Sequence, residues 1–325
     1  MNYFKLKKES LKNWFSNYSL KDWRFWYKAI FVLIMTIVVL YSYIQAFVSS
    51  SNNVAELNKL INNNQEQTWT IQSILQYGID NNSNWISTTK NGVTSIKGVI
   101  VFTTTTDGVL KASYQPFEQL VYMSSFFTLI SNLLILIWMY VALLKPYNEG
   151  KKGILNNRGA LIFTTYITIT FLLYNIILRA TVSMVDNNFI SHLINEMFHT
   201  VAPIAFVGYV IFGIKRETKD LLSFKDLKLT WLYGISGLIG YGVYAIIRGL
   251  IMVAGGTPGS SQLAFPYPFL QITEKAVKMG NIELPGIVLF LIFVVVIASI
   301  CIGFTSLYRV IMLKIINVKL KKKGE

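Results

Sequence analysis

The stretch Ser191–Ile214, SHLINEMFHTVAPIAFVGYVIFGI, passes from two histidines and a glutamate into a charge-free apolar run, Val201–Ile214. As a helix it is long enough to cross a bilayer, so its first half carries ionisable groups where they are expensive. His192 and His199 are both histidines of the chain. With Glu196 between them, the three stand at i, i+4 and i+7 and project from one face. Ionisable side chains within a membrane face the bundle interior and mark a functional site by default.

Outward from this span the chain keeps the same character. Of its 325 residues, 53% are hydrophobic and only 14% charged, where a soluble domain carries about a quarter charged residues. Further long apolar runs lie at about Ala29–Val48, Phe117–Leu144, Ala160–Ile177, Leu229–Ala254 and Leu284–Leu313. The net charge of +14 is distributed in short segments that flank these runs. That is the topology signal of a membrane protein rather than a basic patch for nucleic acid, and nucleic-acid binding is excluded on that ground. Cys301, the single cysteine, sits in an apolar run, which rules out an intramolecular disulfide or thiolate metal cluster.

Lys and Arg are plentiful in the N-terminus, in Lys145–Arg158, in Lys215–Lys228 and in the C-terminus, and sparse in 181–190 and 255–283. Positive-inside logic therefore predicts an all-α polytopic membrane protein with six transmembrane helices and both termini cytoplasmic in the cell membrane. The expected division is a cytoplasmic basic segment 1–28, a first span 29–49, an extracellular α+β insert 50–116, spans two to six within 117–313, and a basic tail 314–325. The basic N-terminal segment interleaves Lys5, Lys7, Lys8, Lys12, Lys21 and Arg24 with Trp14, Trp23, Trp26 and Tyr27, a composition suited to anionic lipid headgroups. The first apolar run exceeds the 7–15 residues of a signal peptide and has no small-x-small cleavage site, so it reads as an uncleaved span. In the insert, Gly98–Tyr114 reads as a hairpin about Asp107-Gly108, preceded by one or two short helices within Val54–Tyr77.

Topology converts positions to depths. In the fourth span Glu196 and His199 lie roughly 9 and 13 Å below the outer end. The second span also begins outside, which puts Thr128 about 15 Å down, level with His199. Its Ser124, Ser125, Thr128, Ser131 and Asn132 form one polar stripe, which in a membrane helix is also the ordinary signature of interhelical packing. Asn175, Arg179, Tyr244 and Arg248 fall in the same half of the bilayer. The polar groups of four spans thus converge on one depth zone, pointing to a polar cavity. Neutral His199 is suited to act as a general base and Thr128 as its nucleophile. Asn132, Asn195, Glu196, Tyr244 and Arg248 are candidates for support or substrate binding, Arg248 for a developing oxyanion or a substrate carboxylate or phosphate. The His192/Glu196/His199 face spans about 10 Å, too far for three ligands on one ion. Neither a metal nor a cofactor is expected.

Three motifs carry a family resemblance. NEMFHTVAP (Asn195–Pro203), FFTLISNLL (Phe126–Leu134), and IRG (Ile247–Gly249) followed by FPYPFLQI (Phe265–Ile272) resemble the signatures of the six-pass androgen-induced-gene family, in particular its bacterial branch. The similarity covers about Gln119–Phe304. It implies a threonine hydrolase acting on esters of fatty acids with hydroxy fatty acids, with Thr128 and His199 as the catalytic pair and membrane lipid or a lipid-like molecule as substrate. The chain departs from the pattern where Glu196 replaces a histidine of some members, where Gln271 replaces an aspartate, and in residues 50–116, which have no clear counterpart in the animal proteins. Two other functions suit the same features: a substrate-binding subunit of a membrane importer, and a non-catalytic membrane protein that presents an extracellular domain.

Overall fold

The computed structural model describes residues 21–63, 68–88, 94–179, 189–216, 223–279 and 282–324; most of the basic N-terminal segment, residues 1–20, lies outside them. The first helix, α1, is Trp23–Asn63, 41 residues without a glycine or proline. At 1.5 Å per residue it is about 60 Å long, twice a bilayer's hydrocarbon thickness. The span expected to end near Val48 and the short helix expected after Val54 are therefore one rod, because no residue between them interrupts helical hydrogen bonding.

The far end of α1 is the spine of the insert. Leu57 and Ile61 pack with Trp69, Ile74, Trp85 and Ala112 in a small separate core. Asn58 clamps a strand edge, donating from Nδ2 to Ala112 O and accepting from Ala112 N–H, both at 2.9 Å. Around it lie α2 (Ile71–Asp80), with a capping box between Thr70 and Ser73, and two antiparallel hairpins. The hairpins are β1 (Ile86–Thr88) with β2 (Thr94–Ile96), and β3 (Ile100–Thr104) with β4 (Leu110–Tyr114). The second is the one expected about Asp107-Gly108, and Gly108 takes φ +77°, a conformation that favours glycine.

The apolar run 117–144 is not one helix. It divides into α3 (Pro116–Met123) and α4 (Phe127–Leu144), with a break at Ser124–Phe126. The carbonyls left over at the break are taken by tyrosines of a later helix: Tyr241 OH donates to Ser125 O at 2.8 Å, and Tyr244 OH to Val121 O at 3.4 Å. The helix α5 (Asn157–Leu172) starts at Asn156, whose side chain accepts from Gly159 N–H, and runs on as a π-helical turn, Leu173–Leu178. The stretch quoted first is α6 (Phe189–Glu196), a π-turn (Met197–Val201), α7 (Ala202–Gly208) and a second π-turn (Tyr209–Gly213). After α8 (Phe224–Ala254) the chain folds back over the bundle, forms the hairpin β5 (Val277–Met279) and β6 (Ile282–Leu284), and enters α9 (Gly286–Gly324).

Among the described residues, six helices are long and apolar enough to cross a membrane: Trp23–Asn63, Phe127–Leu144, Asn157–Ile176, Phe189–Gly213, Phe224–Ala254 and Gly286–Val318. Met35, Trp138, Met139, Leu161 and Phe206 form the centre of one core between α1, α4, α5 and α7. A second core joins Phe127, Tyr166 and Ala245 to Phe265, Tyr267 and Phe269 of the returning chain. The outward faces of α8 and α9 remain apolar, with Ile239, Val243, Ile251, Leu291 and Val295 exposed. At the end away from the insert, Lys28 of α1 forms a buried ion pair with Glu149, which also accepts from Tyr209 OH at 2.8 Å. Lys28 donates a further bond to Ala142 O at 3.0 Å.

Candidate active site

Two helix irregularities bring the site together. The break before α4 makes Phe126 the N-cap and puts Thr128 in the first helical turn. There the backbone N–H groups lack intrahelical partners and the helix dipole is positive. Thr128 thus sits at a helix start rather than in mid-span. Sequence periodicity alone could not place the break, since Phe117–Leu144 contains no Gly or Pro.

The second irregularity surrounds His199. In its π-turn the Ala202 N–H bonds Met197 O, which frees the Phe198 carbonyl. Asn132 of α4 fills that vacancy, donating from Nδ2 to Phe198 O at 2.9 Å and to Thr128 O at 2.8 Å. Pro203 has no N–H to offer the His199 carbonyl; Asn175 of α5 donates to it instead at 3.3 Å. Two asparagines therefore replace backbone bonds lost around the histidine, and Asn132 ties Thr128 to the histidine's turn.

The imidazole is fixed on three sides. Tyr174 stacks on its face, with centroids 3.9 Å apart and planes at 21°. Asn195 donates from Nδ2 to the Tyr174 hydroxyl. His199 Nδ1 lies 2.9 Å from Asn195 O; a carbonyl can only accept, so Nδ1 carries the proton and Nε2 offers its lone pair. That lone pair faces Thr128 Oγ1 at 3.2 Å. Thr128 and His199 are both half-buried, so the pair remains accessible.

A third segment completes the arrangement. Tyr267, in the segment that returns after α8, places its hydroxyl 3.3 Å from Thr128 N and 3.4 Å from Thr128 Oγ1. The phenol accepts from the backbone N–H, leaving its own proton free to donate. The IRG segment explains how this return is seated. Arg248 Nη1 donates to Ala264 O at 3.2 Å, and Phe265 lies against Gly249, where any Cβ would overlap its ring. Gly249→Ala is expected to push Phe265 aside and destabilise the protein by about 1–3 kcal/mol, read as a lowered unfolding temperature in detergent; an unchanged midpoint would show that the return is not seated there.

The other predicted residues are placed as follows. Asn132 and Asn195 belong to the pair's immediate surroundings. Glu196 is one turn away and forms an ion pair with Arg179, whose guanidinium also lies 5.7 Å over the Tyr174 ring. Tyr244 bonds the α3 break rather than the pair, and Arg248 bonds the returning chain. His192, seven residues before His199, is about 10 Å away along the helix. Tyr267 and Tyr174 were not among the predicted site residues, and Asn175 was predicted only by its depth, with no role at the pair. The FPYPF and Pro203 signals marked their neighbourhoods, but contact between distant segments has no local signature.

Fold and site together define a bundle of six membrane-length apolar helices carrying a hydrogen-bonded Thr–His pair at a helix N-terminus. No family model matches the chain, and no curated protein or solved structure matches it either.

Proposed function

We propose that the protein is an intramembrane hydrolase of a lipid ester. The observation that carries this reading is the 3.2 Å approach of Thr128 Oγ1 to His199 Nε2, with Nδ1 anchored on Asn195 O. A hydroxyl, a base with its lone pair turned to it, and a third group fixing the base's tautomer are what nucleophilic acyl transfer needs. The resemblance to the androgen-induced-gene family selects the same two residues, and the proposal includes membership of that family.

In the proposed reaction His199 Nε2 takes the Thr128 proton as Oγ1 attacks the ester carbonyl carbon. The developing oxyanion lies at the start of α4, where the helix dipole and the Tyr267 hydroxyl stabilise it. Collapse expels the alcohol, which receives the proton from Nε2, and leaves an acyl-threonine. Water, deprotonated by the same nitrogen, attacks that ester, and the carboxylic acid leaves with Thr128 restored. Tyr267→Phe is expected to lower kcat about 10²-fold with little change in KM; an equal loss in both variants of a matched Tyr267→Phe and Thr128→Ser comparison of folded yield would instead mark a packing role.

Both termini are proposed to be cytoplasmic and the insert extracellular. The reading is supported by Lys145, Lys151, Lys152, Arg158, Lys215, Arg216, Lys225 and Lys228, which lie at or near the helix ends opposite those joined to the insert. The test of the hydrolase reading is labelling of the full-length protein in lipid nanodiscs with an alkyl fluorophosphonate. Mass spectrometry should find the adduct on Thr128; labelling confined to another residue, or none, would overturn it.

A second reading is a ligand-capturing membrane subunit. It is favoured by an open cavity of about 550 Å³ between α1, the insert and the start of α6, lined by Tyr41, Gln45, Asn52, Asn84 and Ser191. Co-purification with a cytoplasmic ATPase pair would favour it.

A further inference from the structure

Arg248 is a buried charge that no carboxylate contacts among the described residues. It is only 8% exposed, in the middle of a run that is otherwise apolar or small. A guanidinium offers five N–H donors. One is used on Ala264 O, and the cation lies 5.6 Å over the Tyr122 ring. Its Nε is buried with no hydrogen-bond partner, and among the described residues no carboxylate forms an ion pair with it. Glu118, on the exposed face of α3, acts on it only through space. Lone cations buried in apolar surroundings are costly and occur with a counter-ion or a function.

The position indicates what that counter-ion belongs to. From Arg248 an aromatic wall leads towards the reacting hydroxyl. Tyr122, beneath the guanidinium, meets Phe126 edge-on with centroids 5.2 Å apart, and Phe126 meets Tyr267 at 6.0 Å. The Tyr267 hydroxyl is the group beside Thr128. An amphiphile lying along these rings would bring a charged end to Arg248 and an apolar, ester-bearing part to Thr128.

We infer that Arg248 is the anion anchor of the substrate site, taking a carboxylate or phosphate that the ester carries apart from its scissile bond. The anion completes the guanidinium's bonding through charge-assisted, forked hydrogen bonds. Arg248 thereby selects anionic amphiphiles over neutral ones. This assignment rests on the hydrolase reading for where the ester lies, so its test reads binding apart from turnover.

The experiment uses the full-length Thr128→Ala protein in nanodiscs of neutral lipid, with three probes of one chain length: a fatty acid, an alkyl phosphate and a fatty alcohol. The acid or the phosphate should bind about tenfold or more tightly than the alcohol. Preference for the acid identifies a carboxylate as the partner, and preference for the phosphate a phospholipid-like one. Arg248→Gln should abolish the preference while alcohol binding is kept, and Arg248→Lys should retain part of it. Equal binding of all three by the parent, which needs no Arg248 variant to interpret, would overturn the inference, as would a preference that survives Arg248→Gln. Phosphonate labelling of Thr128 in the full-length protein that retains this threonine is scored separately. Absent labelling with an intact anion preference would reject the hydrolase while the anion site stands.

Discussion

Alanine at Thr128 or at His199 is expected to lower kcat/KM for a lipid ester by about 10⁴-fold or more and to remove phosphonate labelling. The two losses should not multiply. With the hydroxyl gone the base has nothing to activate, so the double variant should be no slower than either single one. Thr128→Ser keeps the nucleophile and should retain labelling. Neither alanine removes the Asn132 clamp, which bonds the Thr128 carbonyl and not its side chain, so folded yield should stay near that of the parent chain. Normal labelling of a folded His199→Ala protein would mean the 3.2 Å contact is only a packing bond.

The second large effect lies at the other end of the bundle. Lys28 and Glu149 have side chains 3% and 8% exposed, and the same carboxylate accepts from Tyr209 OH. Glu149→Ala removes the carboxylate that pairs with the buried Lys28 ammonium and accepts from the Tyr209 phenol, a change that costs about 3–5 kcal/mol. Thermal unfolding in detergent should fall accordingly. Lys28→Met with Glu149→Met should recover most of the loss, because the cost belongs to the stranded charge more than to the missing attraction. A Glu149→Ala protein as stable as its parent would refute this account of the buried pair.

The spans were legible because hydrophobic runs are written locally. The Thr128–His199 approach was legible for a related reason: few polar groups occur in such runs, and two at similar depth on different helices have little else to meet. The two residues meet even though Phe117–Leu144, which the sequence presents as one unbroken helix, is divided before Thr128. The break is stabilised by tertiary partners, Tyr241 and Tyr244, which donate to the stray carbonyls Ser125 O and Val121 O and which no residue in 117–144 announces. The π-turn at Met197–Val201 is likewise stabilised from outside, by Asn132. Tyr267 comes from a return whose direction depends on Phe265 fitting against Gly249. What the sequence hid was therefore the set of contacts between segments far apart in the chain.

The unbroken α1 has a mechanical consequence. A domain joined to a membrane bundle by a flexible linker can swivel without disturbing what lies below it. Here the insert's core is built on the same rod whose lower part packs against α4 and α7, where Tyr27 OH donates to Ala205 O at 2.8 Å. Gln119, just before the break that shapes the Thr128 turn, accepts from Val99 N–H of the insert at 3.1 Å. Torque on the insert, as from a ligand gripping it, would be carried down a stiff lever to the two helices that flank the Thr–His pair. The insert is thus joined to the bundle on one side by a continuous helix and on the other by α3, which ends at the break before Thr128.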